Sequence, residues 1–245
     1  MYAQRFFLVM QRDLKILFLD KLTLFIIFLN FSIELFVSGL IFARMVSGFD
    51  YFLFIAPGAN LMTALVVAFQ AGRELFVERA LRDLSAYHVT LPVPRRLYVA
   101  ARIAAGVAKA VIASTPGTLV VIFLYPNLTV FTFLGVYLVL VLFSLAGVAF
   151  SIMTAVVSRR TEVFITLRST IQLYLSFLST VFYPLEFFPP VLVPFVLANP
   201  KTWAVQTFRE IVQGNWPVQE LLLLSATSLF LAIMAGIIYV RATKM

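Results

Sequence analysis

The chain alternates between long apolar runs and short charged stretches. Six runs, 22–43, 52–71, 103–125, 130–157, 163–183 and 218–240, approach or exceed the roughly 20 residues a helix needs to cross the hydrocarbon layer of a bilayer. The first 21 residues follow a different pattern. Phe7, Met10, Leu14 and Leu17 share one helical face and Arg5, Arg12 and Lys15 another, which predicts an amphipathic helix lying in the membrane interface. The charged stretch 72–102 predicts a further helix over 74–87, stopped ahead of Pro92 and Pro94. Glu74, Glu78 and Arg82 recur every four residues on one of its faces, and Phe76, Ala80, Leu84 and Tyr87 line another.

The stretch 184–213 breaks the pattern. It is apolar, yet Pro184, Pro189, Pro190, Pro194 and Pro200 prevent one straight helix. A backbone entering lipid must satisfy its polar groups locally. Two short helices meet that demand, because proline is tolerated in a first helical turn. The spacing therefore predicts a pair of short helices dipping partway into the membrane between spans five and six, with Trp203 and Trp216 at the interface. The expected architecture is an all-α membrane protein of one domain, 1–245. It has six transmembrane helices, an in-plane helix over 1–21, a cytoplasmic helix within 72–102 and a re-entrant external segment over 184–213.

Composition agrees. With 62% hydrophobic and 12% charged residues, the chain holds more apolar surface than one soluble core of this length can hide. The net charge of +8 is distributed as topology signals. Arg5, Arg12, Lys15, Lys21, the arginines of 73–102, Arg159, Arg160, Arg241 and Lys244 fall on one side; Arg44, Lys201 and Arg209 fall on the other. The positive-inside rule then places both termini in the cytoplasm. These clusters suit anionic lipid and give no reason to expect nucleic acid. Charges at Arg5, Arg12, Asp13, Lys15, Asp20 and Lys21 leave no apolar core for a cleavable signal.

Several chemistries are missing. None of the lysines closes a G-x-x-x-x-G-K-[ST] phosphate loop. Cysteine is absent, and the single histidine, His88, lies in the expected cytoplasmic loop. No catalytic or metal site is expected. A passive channel or secondary transporter finds little support, since ionisable residues are sparse in the spans and no internal repeat stands out.

Polarity inside the spans falls at helical spacing. Asn30, Glu34 and Ser38 mark span one, Asn60 and Thr63 span two, and Gln172, Ser176 and Ser179 span five. Together they are candidates for a partly wet translocation path. A carboxylate at mid-bilayer costs roughly 2.5–3.5 kcal/mol, so Glu34 must face protein or water. It fits either a gate or a helix–helix hydrogen bond. Gly147 and Ser151 have the spacing of close helix packing. Lys109 and Arg168 lie near enough to the cytoplasmic edge to snorkel.

"STVFYPLEFFPPVLVPFVLANPKTWAVQTFRE" (179–210) resembles the hallmark of type-2 ABC transporter permeases. It runs from Phe182, Tyr183, Pro184, Leu185 and Glu186 through Pro189-Pro190 and Asn199-Pro200 to Thr202, Trp203, Ala204 and Arg209. "ELFVERALRDLSAYHVTLPVPRRLYVAARI" (74–103) is similar to the family's second signature. Two departures are Thr180-Val181, where the family often has Gly, and Ala80-Leu81, where it favours Gly-Thr.

The resemblance implies an exporter permease without its own motor. It would carry a drug-like, lipid-like or glycolipid substrate, or alternatively a polysaccharide or lipid-linked glycan. It implies two separate ATP-binding cassette ATPase subunits, which hold ATP and Mg, and a second permease copy, identical or related. The permease itself would bind no cofactor. Glu74, Phe76, Glu78, Arg79, Arg82, Asp83, Leu84 and Glu162 would meet the ATPase. Tyr183, Pro184, Glu186, Asn199, Pro200, Trp203 and Arg209 would form the external segment.

Overall fold

The computed structural model describes residues 2–19, 21–43, 50–81, 93–126 and 129–242. Every regular element among them is helical. Helix α1 (Tyr2–Leu19) comes first, and α2 (Lys21–Ile33), a π turn (Glu34–Ser38) and α3 (Gly39–Ala43) follow, the last three continuous with one another. Then come α4 (Tyr51–Phe76), prolonged by a second π turn (Val77–Leu81), α5 (Arg95–Leu124) and α6 (Val130–Val157). Helix α7 (Thr161–Phe177) precedes a short 3-10 turn (Leu185–Phe187), α8 (Val193–Leu197), α9 (Pro200–Val212) and α10 (Val218–Ala242).

Five stretches are long and apolar enough to cross a membrane: Leu24–Ile41, Tyr51–Ala80, Arg95–Leu124, Val130–Val157 and Val218–Ala242. The run expected to cross over 163–183 is different. Its helix stops at Phe177 after 17 residues, about 26 Å at 1.5 Å per residue, and the chain turns away before Tyr183. The helix expected over 74–87 is also different. Glu74 to Leu81 continue α4 without a break, so the first part of the expected helix belongs to α4. Arg82, Asp83, Leu84, Tyr87 and His88 lie outside the described residues.

Helix α4 is the centre of the bundle, enclosed by α2, α5, α6 and α9. Its small residues explain the close approach of α6. A Cβ on Gly72 would stand 2.1 Å from the Ser151 carbonyl oxygen, and one on Gly147 would meet the Ala68 methyl at 3.0 Å. The Ser151 hydroxyl donates to the Phe69 carbonyl at 2.8 Å and accepts from the Gly72 amide at 2.9 Å. Gly147 and Ser151 thus serve as the packing pair their spacing suggested. By contrast α2 and α10 show apolar flanks to the surroundings, with Phe25, Leu29, Phe36, Leu222, Phe230 and Ile233 exposed. Such surfaces suit lipid or another helix rather than water.

Chain direction defines two ends. Tyr125 on α5 donates to the Leu53 carbonyl near the start of α4, at what is here called the proline end. Arg79 on the π turn after α4 donates to the Ser158 carbonyl after α6, at the basic end. The Gly72 contact gives a direct check. Gly72→Ala must push backbone against backbone and is expected to cost about 1–3 kcal/mol, read as a lower melting temperature in detergent. Gly236→Ala, with nothing within 4 Å of its new methyl, is expected to leave melting unchanged or slightly higher.

Candidate functional site

The proline end is built by side chains that serve interrupted backbone. When α7 stops, its last carbonyls lose their helical partners. The Asn199 amide nitrogen replaces them at Leu178 O (2.6 Å) and Leu175 O (3.4 Å), and adds a bond to Tyr174 O (3.2 Å), which still accepts from the Leu178 amide. The Asn199 carboxamide oxygen meanwhile accepts from the Lys201 amide at 2.9 Å and caps the start of α9, where Pro200 occupies the first turn. One fully buried side chain therefore ends one helix and begins another.

Arg209 does the same for the chain after α7. Its guanidinium donates to Phe54 O at 3.0 Å, Thr180 O at 2.8 Å and Val181 O at 3.0 Å, and lies 3.5 Å from the centre of the Phe54 ring. Tyr51 donates to Phe182 O, Thr202 to Val196 O, Trp203 to Leu197 O and Tyr174 to Phe195 O. Helix α9 is buried along the face of Ala204, Phe208 and Ile211 and packs on α4, α6 and α10. Pro184 opens the 3-10 turn, while Tyr183 and Glu186 are exposed.

The basic end is held by ions. Asp13 of α1 and Arg102 of α5, both about 3% exposed, pair at 3.1 Å. Arg102 also reaches Glu78 at 3.2 Å, and Arg12 reaches Asp13 at 2.9 Å and Glu78 at 3.3 Å. Two guanidiniums thus face two carboxylates, with the Tyr98 hydroxyl on Glu78 at 3.4 Å. Burial acts to lower the Arg12 pKa, but the charges of Asp13 and then Glu78 outweigh it and hold the group above its ordinary value.

One turn nearer the proline end, Lys109 binds Glu74 at 2.8 Å. Lys109 is buried, so it pairs where snorkelling was expected. Phe76, expected at an outward docking face, is also buried and stacks on Phe164 of α7, with centroids 4.3 Å apart and planes 3° from parallel. Of the remaining candidates for that face, Arg79 reaches Ser158 and Glu162 is exposed.

Of the polar positions proposed for a path, Asn60, Thr63 and Ser179 make separate hydrogen bonds among the described residues. Asn60 is buried and donates to Thr118 on α5 at 2.8 Å. Thr63 turns to its own helix at Ala59 O, and Ser179 to Ser176 O. Asn30 is exposed, Glu34 and Gln172 are half-buried, and Ser176 is buried. Ser38 closes the π turn that Glu34 opens. Lys201, expected on the external side, is fully buried. Its ammonium meets the Met62 sulfur, and Glu34 is the charge that acts on it.

Residues 4–212 match the family described as ABC-2 type transporter. The chain belongs to that family. The inner membrane transport permease YadH of Escherichia coli K12 is 28% identical to it over 166 residues, 66% of this chain and 63% of the relative. Permeases of the same name from Escherichia coli O157:H7 and Shigella flexneri match to the same extent. The matched part therefore spans 63% of the length of these curated relatives. ABC-2 membership and the five long apolar helices together make this a membrane-spanning member of a transporter family.

The burial of Lys201 and Asp13 was not legible in the sequence of this ABC-2 family member. Neither carries a local signal, because each is buried by helices distant in sequence. Only the mid-span location of Glu34 hinted that an opposite charge must come near.

Removing one partner of a buried ion pair exposes the other's unpaid desolvation. Asp13→Asn is expected to lower stability by about 3–5 kcal/mol on that ground. Arg209→Lys keeps the charge but cannot serve three carbonyls in one plane, so its melting temperature is expected to fall well below that of wild type. Glu34→Gln is expected to destabilise more than Glu34→Gln combined with Lys201→Met, since the second change removes the stranded ammonium. A thermal melt of each purified variant measures all three effects.

Proposed function

We propose that this chain is the membrane subunit of an ATP-driven exporter, carrying an amphipathic drug-like, lipid-like or glycolipid molecule outward across the cytoplasmic membrane. Its basic end faces the cytoplasm, in keeping with the distribution of Lys and Arg. Helix α7 serves as a sixth crossing, shorter than the others and completed by the proline segment. Two permease copies, identical or related, enclose the route. Two separate ATP-binding cassette subunits dock at their basic ends and hold the ATP and Mg. The single observation that carries this reading is the family match over residues 4–212. The lack of a phosphate-binding loop in the sequence supports a separate motor.

The mechanism follows from how force can travel. The segment after Phe76 is continuous with α4, and α4 crosses the whole bundle. A push from the ATPase on that segment therefore moves a rod rather than a loop. The Asp13, Glu78, Arg102 and Arg12 cluster makes α1 and α5 move with it, and the Phe76–Phe164 stack passes the motion to α7. At the other end, Arg209 couples the start of α4 to the chain after α7. Moving a gate from 1:99 to 99:1 requires about 5.5 kcal/mol of differential binding. Exposed charge pairs at about 0–1 kcal/mol each cannot supply it, so the apolar contact at Phe76 is the more important joint.

The test is reconstitution in vesicles with the cognate ATPase. ATP-dependent movement of cargo is expected with the ATPase and none with the permease alone; directional movement by the permease alone would contradict the reading. In the same vesicles Phe76→Ala is expected to retain ATP turnover while transport falls about tenfold or more, corresponding to about 1.4 kcal/mol of lost coupling. Unchanged transport would remove the stack from the mechanism.

A further inference from the structure

Two arginines stand one turn toward the proline end from the stacked rings. Arg73 is three residues before Phe76 on α4, and Arg168 is four residues after Phe164 on α7. The helices run in opposite directions, so both steps lead the same way along the bundle, and both steps stay on the helix face that carries the ring. With the rings 4.3 Å apart, the two guanidiniums share one neighbourhood, and Arg73 is the charge that acts on Arg168.

Among the described residues no carboxylate pairs with either. Glu74 is bound to Lys109, and Glu78 to Arg12 and Arg102. Glu162 lies six residues before Arg168, in the exposed first turn of α7. The Nε of Arg168 is buried and has no hydrogen-bond partner. Arg73 is exposed and Arg168 half-buried; two like charges held side by side repel, and a buried donor without an acceptor adds its own cost. An anion placed between them reverses the first effect and removes the second.

The anion's chemistry follows from the donors. One guanidinium can occupy both oxygens of a carboxylate, whereas a phosphate has further oxygens for a second fork. The flank beside the site is apolar: Ile165, one turn from Arg168 on the same face, is exposed, as is Leu173 farther along α7. We propose that Arg73 and Arg168 form a binding site between α4 and α7 for a phosphate group carried on an amphipathic molecule. The apolar tail lies along the exposed flank of α7. The inference deepens the exporter reading by giving its cargo, or a lipid that accompanies it, an anionic headgroup, and it rests on that reading for this step alone.

The test uses the full chain purified in a neutral maltoside detergent and titrated with dodecyl phosphate, followed by thermal melting. Dodecyl phosphate is expected to raise the melting temperature of wild type. Arg73→Gln and Arg168→Gln are each expected to weaken binding about tenfold or more, the loss of one charge-assisted fork. Arg168→Lys, which keeps the charge but loses the fork, is expected to fall between them and wild type. Without ligand, Arg73→Gln is expected to melt no lower than wild type, because a repulsion is relieved; this shows that the variant is folded.

Wild-type binding by either Gln variant, or no binding by wild type, would overturn the site. Displacement by an equal concentration of inorganic phosphate would reduce it to a free-anion site and overturn the amphipathic class. ATPase stimulation by the permease, measured separately, tests the exporter reading. A failed titration beside intact stimulation therefore counts against the site alone.

Discussion

A chain that leaves the helix inside an apolar environment must find partners for every carbonyl it frees, and this constraint shapes the protein. The break after Phe177 is the costly place. Asn199 supplies donors to the end of α7, and Arg209 supplies three more to Phe54, Thr180 and Val181. Both side chains come from the α9 region, so α9 has to be buried against the bundle for the break to be tolerated. Its apolar face of Ala204, Phe208 and Ile211 performs that burial. The prolines and the Asn-Pro step are therefore parts of one arrangement: proline interrupts the helix, and the residues that follow repair the interruption.

The two ends of the bundle use different physics for one purpose. At the proline end, neutral carbonyls are tied by amide, guanidinium and hydroxyl donors. At the basic end, compensated charges join α1, α4 and α5, with Asp13 and Arg102 almost wholly removed from solvent. Such pairs give modest net stability but penalise any arrangement that separates them. Between the ends, α4 and α6 approach through Gly72, Gly147 and Ser151 without large side chains to slide on. A bundle tied at both ends and closely packed between them can transmit displacement along its length.

Much of the architecture was legible in the hydrophobic pattern. The apolar runs at 52–71, 130–157 and 218–240 lie within long helices, that at 103–125 does so but for its last residue, and the amphipathic start forms α1. The pattern misled where a tertiary partner sets the boundary. The run to Tyr183 stays apolar, and nothing local halts it at Phe177; the Asn199 amide, 21 residues beyond Leu178 in sequence, donates to the carbonyls at its end. Charged periodicity from Glu74 suggested a helix of its own, yet its described part, 74–81, prolongs α4, and Glu74 and Glu78 are consumed by Lys109, Arg12 and Arg102, partners that no short window contains. The candidate site was less legible for the same reason. The hallmark motif pointed to Asn199 and Arg209 without revealing which carbonyls they serve, and the burial of Lys201 left no trace in its neighbours.

The central claim is that the proline-broken segment is a structured, buried part of the bundle rather than a surface loop. Hydrogen exchange of the full chain in lipid nanodiscs tests it most directly. The account predicts that the amides of 202–212 in α9 exchange as slowly as those in the middle of α4. Exchange at the rate of an open loop would contradict it.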